Sequence, residues 1–205
     1  MGKGSGPGAI LVFREVSMKK DYSLGSTPPN EQRLPQYACD DAWTREFLLR
    51  AKVGHIATRW DDQPFITPII FWYDPERHEI YFHSNITGRI RANCERHEKV
   101  CFEACEMGEL LPSNVAMEFS LQYESVIAFG RVRILEDEEE KRRALYGLIA
   151  KYFPGMTAGV DYRPITEQEL QRTSVYAIAI DCWSGKRNWK DRAKQSPVWK
   201  PLAVK

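Results

Sequence analysis

The stretch best suited to chemistry is a strand that ends in a small polar turn and restarts as a basic helix. Residues 80–83 (Ile-Tyr-Phe-His) are apolar and aromatic, Ser84 begins the break, and Gly88 and Arg89 lead into the helix. Backbone N–H groups at a helix N-terminus lack partners and carry partial positive charge. Ser84, Thr87 and Arg89 around such a turn suit a phosphate group. On local chemistry alone, an ordinary capped surface helix is the better interpretation of these residues.

Two other groups of residues have both a chemical and a structural interpretation. His83 stands where the strand meets the turn, either hydrogen-bonded to the backbone or acting as a neutral donor to a cofactor. Trp183 and Trp189 lie near Lys186 and Arg192 in the sequence. They either pack near the C-terminus or supply an aromatic wall and a cation for a planar anionic ligand. Local chemistry favours packing.

Four residues are of the types that bind zinc: Cys94, His97, Cys101 and Cys105. Their spacings are loose and no C-x-x-C pair is present, so buried, unreactive thiols are the better interpretation. The chain also lacks a nucleophile-elbow motif, a Ser–His–Asp order and the Gly-rich loops of nucleotide-binding proteins. The sequence therefore predicts no metal site and does not favour a hydrolase.

Composition narrows the class of protein. The 205 residues fit one domain with extensions, and 43% hydrophobic residues can form a substantial core. A net charge of +1 argues against nucleic-acid binding, and no apolar run reaches membrane-spanning length. Five cysteines, an odd number without framework spacing, favour a reducing cytoplasm. We therefore expect a cytoplasmic protein that binds neither nucleic acid nor a membrane.

The hydrophobic pattern predicts a mainly β domain with flanking helices. A helix that starts after Asp40 ends at Gly54, and it is followed by strands at 55–60, 65–73 and 79–83. The later elements are a helix at 88–97, a strand at 100–105, a loop at 107–119, a strand at 121–135 bent at Gly130, a helix from 136, a short helix at 166–172 and a strand at 175–183. Because successive strands lack crossover helices, we expect an antiparallel barrel.

Pro68 lies inside the second predicted strand. Proline cannot donate to a ladder, so this position should be an edge, a bulge, or a place where something other than a strand approaches.

On either side of the predicted domain, residues 39–192, the chain changes character. Residues 1–38 are rich in glycine and proline and are expected to be extended or flexible, and residues 193–205 form a tail.

Several stretches together resemble the pyridoxamine 5'-phosphate oxidase-like FMN-binding split-barrel superfamily, especially its nitroimidazole-resistance-like branch. The matching stretches are residues 54–58, 64–69, 80–89, 100–103 and 123–131. The resemblance covers roughly residues 40–186. It implies a six-stranded split barrel that is usually a homodimer, with FMN bound at the subunit interface.

The resemblance also implies a set of cofactor contacts. The backbone around Thr67, Pro68 and Ile69 is expected to lie along the flavin ring, with Ser125 facing it from the long strand. The turn that follows the third strand is expected to hold the ribityl chain and phosphate through His83, Ser84, Gly88 and Arg89. Trp183 and Lys186 complete the set of residues predicted to bind FMN.

Departures from the family pattern narrow the expected activity. Ile66 and Phe71 stand where pyridoxamine phosphate oxidase itself carries basic residues, and the similar stretch 182–192 lacks that enzyme's histidine. The resemblance therefore implies an FMN-dependent reductase acting on a small acceptor such as a nitro compound or a quinone, with no protein acid or base assigned. The alternatives are a non-catalytic flavin or haem binder, with His83 or His55 as iron ligand, and a deazaflavin-dependent oxidoreductase.

Overall fold

The structure is a computed structural model that describes residues 27–202. The predicted extension 1–38 therefore lies mostly outside the described residues. Its described end runs along the final strand of the domain. Asn30 Nδ2 donates to the Trp183 carbonyl (3.3 Å) and Gln32 Nε2 donates to Ser184 Oγ (3.0 Å), so this part is hydrogen-bonded to the domain.

The described chain contains eight strands and four α-helices. The strands are β1 (Ala38–Cys39), β2 (Gly54–Trp60), β3 (Gln63–Ile69), β4 (Trp72–Asp74), β5 (Glu79–Asn85), β6 (Lys99–Leu111), β7 (Ser120–Ile134) and β8 (Thr173–Asn188). The helices are α1 (Asp41–Arg50), α2 (Arg89–Arg96), α3 (Glu138–Tyr152) and α4 (Glu167–Gln171). The predicted mainly β architecture is confirmed. The strand number is eight instead of six, because the short β1 and β4 add to the six longer strands.

The strands form one antiparallel sheet whose two end strands are brought together without pairing. Along the sheet the order is β3–β2–β6–β7–β8–β5–β4, and β1 pairs with β8. The two ends of this order, β3 and β4, are joined only by Ile70 and Phe71. So short a link spans about 10 Å. The sheet must therefore curl until its first and last strands meet, which produces a split barrel.

The predicted strand 65–73 is interrupted at this link. Phe71 is fully buried and meets the Phe102 ring edge-on, with centroids 4.8 Å apart. The Phe71 N–H donates to Tyr152 Oη (3.0 Å) on α3 instead of to a neighbouring strand. Contacts with the core and with a distant helix thus replace the ladder here, and β-propensity alone could not show this.

Two other predicted boundaries are wrong. The predicted loop 107–119 begins as strand, because β6 continues to Leu111 beyond an irregularity between Met107 and Leu110. The final strand is longer than predicted, since β8 pairs with β7 as far as Asn188. In both cases ladder hydrogen bonds to a neighbouring strand extend the element past the apolar run that predicted it.

Two glycines owe their positions to close packing. Gly54 lies inside β2 and does not end α1, whose C-cap is Ala51. A Cβ at Gly54 would lie 2.3 Å from the Phe102 ring. Gly130 marks the predicted bend of β7, where the register with β8 shifts, and a Cβ there would lie 2.2 Å from the Ala179 carbonyl oxygen.

The helices cover the barrel unequally. As predicted, Asp40 caps α1, its carboxylate accepting from the Trp43 N–H (2.8 Å), and Thr166 and Glu169 form a capping box on α4. Helix α3 lies over β4 and β5, where Arg143 pairs with Asp74 (2.6 Å). Within residues 27–202 no helix is both long and apolar enough to cross a membrane.

Candidate functional site

The predicted phosphate turn connects β5 to α2. Asn85 Oδ1 accepts from the Thr87 N–H (3.1 Å), which fixes the start of the turn. Gly88 occupies the N-cap position with φ at +135° and offers no side-chain cap to the helix. Residues with a Cβ rarely adopt this φ, so the position favours glycine. The helix thus begins with backbone N–H groups that have no capping side chain.

Arg89 is the first residue of α2 and is exposed. Its guanidinium lies over the Trp60 ring (5.1 Å) and the Phe65 ring (5.0 Å). Among residues 27–202 no carboxylate pairs with it, whereas Arg96 at the other end of the helix pairs with Asp61 (2.6 Å). Arg89 is therefore a cation held by aromatic rings at a positive helix end, which suits an anion.

Helix α2 is firmly attached to the barrel. Asn93 is fully buried and its Nδ2 donates to Thr58 Oγ1 (2.9 Å) on β2. Arg91 donates to Ser174 Oγ (3.0 Å) on β8. These contacts fix the position of the helix N-terminus relative to the strands.

The predicted ring-binding strand lies at an edge of the sheet. Among the described strands β3 pairs only with β2, so the other side of Thr67, Pro68 and Ile69 carries no ladder. Pro68 is exposed and stands opposite His55. The expectation that Pro68 occupies an edge is confirmed, and the free backbone groups of β3 are available to a ligand.

Two residues predicted for the same cradle point to opposite faces of β5. Ser84 Oγ is hydrogen-bonded to Tyr176 Oη (2.9 Å), and Tyr176 stacks on Phe82 in the barrel core. His83 instead lines a cavity beneath α3. Successive strand residues alternate in direction. Within one chain, Ser84 therefore lies on the inner face of the strand that leads to Arg89, and His83 does not.

The outer face of five strands carries an apolar row. Cross-strand pairing links Ile66 to Ala57, Ala57 to Cys101, Cys101 to Phe129 and Phe129 to Cys182. Directly paired side chains point to the same face. Ile66 is 72% exposed and the other four are half-buried. We call these five residues the apolar row.

Two predicted cofactor residues lie on the same outer face. Ser125 pairs with Lys186 on β8 and with Cys105 on β6. The Lys186 ammonium lies 5.2 Å from the centre of the Tyr123 ring. Between this group and the apolar row, His55 Nδ1 lies 2.9 Å from a Glu103 carboxylate oxygen. The structure thus brings Ser125 and Lys186 together beside the apolar row.

Trp183 lies in a different environment. Its Nε1 donates to Asp41 Oδ1 (2.8 Å), and its ring is 4.5 Å from His78 and 5.9 Å from Tyr73. The Arg45 guanidinium stacks on it at 5.2 Å. Trp183 therefore packs α1 against the barrel, on the face opposite to Lys186.

The four residues with zinc-ligand types are separated by the fold. Cys94 is buried in α2, and burial raises the pKa of its thiol to about 12. Cys101 and Cys105 point outward from β6, as the predicted shared face requires. Among residues 27–202, no three His, Cys, Asp or Glu side chains form a group able to hold a metal ion.

Lys151 is a residue that sequence reasoning missed. Its ammonium donates to the Leu48 carbonyl (3.1 Å) and lies 3.5 Å from the centre of the Phe71 ring. Burial between α1 and α3 lowers the pKa of this lysine to about 7. A lysine near the C-terminus of a helix usually projects into solvent, so no sequence signal marks this one.

The depressed pKa makes stability depend on pH. The folded state releases the Lys151 proton near pH 7, whereas the unfolded chain keeps it to about pH 10. Between these values the unfolded state binds more protons, so the Lys151 contribution to the free energy of unfolding rises with pH. We expect Lys151→Met to remove that rise. Urea denaturation at pH 7, 8 and 9 measures the free energy of unfolding, with exposed Lys52→Met as control. If this free energy changes equally with pH in the unmodified protein and in both variants, the prediction is contradicted.

Sequence reasoning also missed the apolar row and the rings beneath Arg89. Alternation within β6 already places Cys101 and Cys105 on one face. Only the pairing register shows that Ala57 and Phe129 continue this face across neighbouring strands. Trp60 and Phe65, whose rings contact Arg89, lie on either side of a turn that is more than twenty residues earlier in the chain.

Comparison with known families identifies the family of this chain. The family model described as pyridoxamine 5'-phosphate oxidase matches residues 40–187. The chain therefore belongs to the pyridoxamine 5'-phosphate oxidase family, and the predicted superfamily is confirmed. The comparison with curated proteins finds no match.

Solved structures share the fold at low sequence identity. The flavocytochrome Anf3 from Azotobacter vinelandii is 22% identical, with a TM-score of 0.72 over 85% of each chain. An FAD and heme binding protein from Mycobacterium smegmatis is 21% identical, with a TM-score of 0.67 over 80% of this chain and 87% of that one. A candidate 5-nitroimidazole antibiotic resistance protein from Bacteroides thetaiotaomicron is 22% identical, with a TM-score of 0.62 over 73% and 86%.

Proposed function

We propose that this protein is an FMN-binding flavoprotein that transfers electrons to a small acceptor. The observation that carries the proposal is the position of Arg89. Its guanidinium has no carboxylate partner in the described chain, and it stands at an uncapped helix N-terminus that follows Gly88. Backbone N–H groups, the helix dipole and a cation together suit the terminal phosphate of FMN.

The edge strand β3 supports the proposed position of the flavin ring. Its free side offers backbone donors and acceptors around Thr67 and Ile69, and Phe65 on the same strand contacts Arg89. The strand and the phosphate turn are therefore close enough for one ligand to touch both. When bound, a flavin supplies the redox chemistry, and the protein positions it and tunes its surroundings.

Two of the structural neighbours are flavin or haem proteins by name. The Mycobacterium smegmatis protein is described as binding FAD and heme, and the Azotobacter vinelandii protein as a flavocytochrome. These descriptions support a flavin on this fold.

We further propose a homodimer with the flavin at its interface. Helix α3 covers β4 and β5, whereas the apolar row crosses the outer faces of five strands and leaves Ile66 72% exposed. Monomeric proteins rarely leave such apolar surfaces exposed. A second copy would cover Ile66, Ala57 and Phe129 and would bring its own residues to the ligand. Ser125 and Lys186, beside the apolar row, would then face the interface.

The visible spectrum of the purified protein tests the cofactor. We expect a flavin spectrum, and mass spectrometry of the acid-released compound should give the mass of FMN. The mass of FAD would show that the bound flavin is FAD instead of FMN. A Soret band without flavin would favour the haem alternative, and a colourless protein that ignores added FMN would refute the proposal.

Turnover distinguishes an enzyme from a carrier. We expect the FMN-loaded protein to oxidise a reduced nicotinamide cofactor when a quinone or a nitro compound is present. A protein that holds FMN tightly but oxidises no donor with any of these acceptors would be a flavin carrier.

A further inference from the structure

A cavity of about 420 Å³ lies between α3, the segment that follows it, and the sheet. This volume falls in the range of small-molecule sites. Most of the lining is apolar, and much of it comes from one stripe of α3. The lining residues are Ile70, His83, Leu145, Leu148, Ile149, Tyr152, Phe153, Tyr162, Arg163, Ile165, Glu169 and Thr173.

Hydrogen bonds hold the outer wall of this cavity in place. The Ile165 carbonyl accepts from Arg142 Nη1 (2.7 Å), and the Ile165 N–H donates to Tyr146 Oη (3.1 Å). Both polar groups of this residue are thus attached to α3. Arg163 pairs with Glu169 (2.7 Å) at the start of α4. These contacts within the chain hold the wall in place, so binding need not order it.

The polar groups of the cavity point to an uncharged ligand. Tyr152 Oη is already used by Lys52 and Phe71, and the charge of Arg163 is balanced by Glu169. His83 is different, because neither of its ring nitrogens has a hydrogen-bond partner in residues 27–202. Its ring is partly exposed, yet the surrounding apolar wall lowers its pKa by desolvation. The imidazole is therefore neutral near pH 7 and offers one N–H donor.

The cavity adjoins both segments assigned to the flavin. Ile70 directly follows Ile69 of the edge strand, and His83 directly precedes Ser84 of the phosphate turn. A molecule in the cavity would lie across the β5 backbone from Ser84 and beside the chain that directly follows Ile69. The location therefore suits the partner in electron transfer better than an unrelated ligand.

We propose that this cavity binds a flat, uncharged ring compound that bears a carbonyl or nitro oxygen, with His83 donating a hydrogen bond to that oxygen. The apolar stripe of α3 would contact the ring faces. The binding claim depends on the cavity alone. The role of the compound as electron acceptor rests on the proposed function and specifies its acceptor class.

Haem fits this lining less well. Haem carries two carboxylates, and the one cation among the lining residues, Arg163, already has Glu169 as its partner. Binding haem would leave those carboxylates uncompensated or would break the ion pair. An oxygen-bearing ring without charge avoids both costs.

Duroquinone is a suitable probe, because its fully substituted ring does not add to thiols. We expect isothermal titration of the purified holoprotein with duroquinone to show saturable binding. Ile149→Trp, which fills the cavity, should weaken it at least tenfold, and His83→Phe should weaken it several-fold. Ala150→Trp changes the next, exposed residue of α3 outside the cavity and should bind as the unmodified protein does.

Flavin absorbance and circular dichroism, recorded for every variant, separate this proposal from the preceding one. Lost flavin with retained duroquinone binding would refute the flavin site and leave the cavity proposal standing. Absence of saturable binding, or unchanged affinity in Ile149→Trp, would overturn the cavity proposal. If Ile149→Trp fails to fold, unchanged affinity in His83→Phe overturns the hydrogen-bond assignment. A His83-dependent Soret band on titration with haemin, without duroquinone binding, would assign the cavity to haem.

Discussion

Ala57→Arg is expected to convert a dimer into a monomer that no longer holds flavin. Ala57 lies within the apolar row, between Ile66 on β3 and Cys101 on β6. A long cation there would be buried without a partner when a second copy covers the row, and such burial is strongly unfavourable. In the single chain the position is only half-buried, so the barrel itself should fold.

Ala179→Arg is the matched control. Ala179 is exposed on β8 of the same sheet, and its cross-strand neighbours, Glu79 and Arg131, are charged. This variant should keep both dimer and flavin. Sedimentation equilibrium gives the mass, and absorbance after gel filtration gives the flavin content. A dimeric Ala57→Arg protein would refute the interface, and a monomer with full flavin content would refute the placement of flavin between subunits.

Arg89→Ala is expected to weaken FMN binding by about 1.5–3 kcal/mol, the usual contribution of a charge-assisted hydrogen bond to phosphate. This corresponds to a roughly 10- to 150-fold higher Kd. The side chain is exposed and makes no ion pair among the described residues, so its removal should change the stability of the fold little. Fluorescence titration of the apoprotein with FMN measures the effect.

Arg96→Ala provides the comparison within the same helix. Arg96 stacks on the same Trp60 ring (4.2 Å) but lies at the C-terminal end of α2, where the dipole disfavours an anion. We expect this variant to bind FMN like the unmodified protein. Equal Kd values for the unmodified protein and Arg89→Ala would remove Arg89 from the phosphate site. Titration with riboflavin, which lacks the phosphate, should show no difference between the two.

Local features of the structure were readable from the sequence. The cap of α1 by Asp40 and the capping box of Thr166 and Glu169 depend on residues three positions apart, so the local sequence predicts them. The antiparallel sheet followed from strands joined by short turns. The missing N–H group of Pro68 predicted an edge, a bulge or the approach of something other than a strand, and the structure shows the edge.

Other features depended on contacts between distant segments. The break at Ile70 and Phe71 results from packing against Phe102 and from a hydrogen bond to Tyr152, eighty-one residues further along the chain. The burial of Lys151 requires α1 and α3 to pack together. Patterns within a single element contain no information about such neighbours.

The sequence by itself determined the antiparallel barrel and the basic turn at Gly88 and Arg89, because these follow from local patterns and short spacings, and its resemblance to the family is confirmed by the family model. It predicted a single cofactor cradle that contained both His83 and Ser84, although neighbouring strand residues point in opposite directions. Only the tertiary structure decided which of them faces the core. That choice depends on the register of β5 against β8 and on the helix that covers the other face, and both are set by long-range packing.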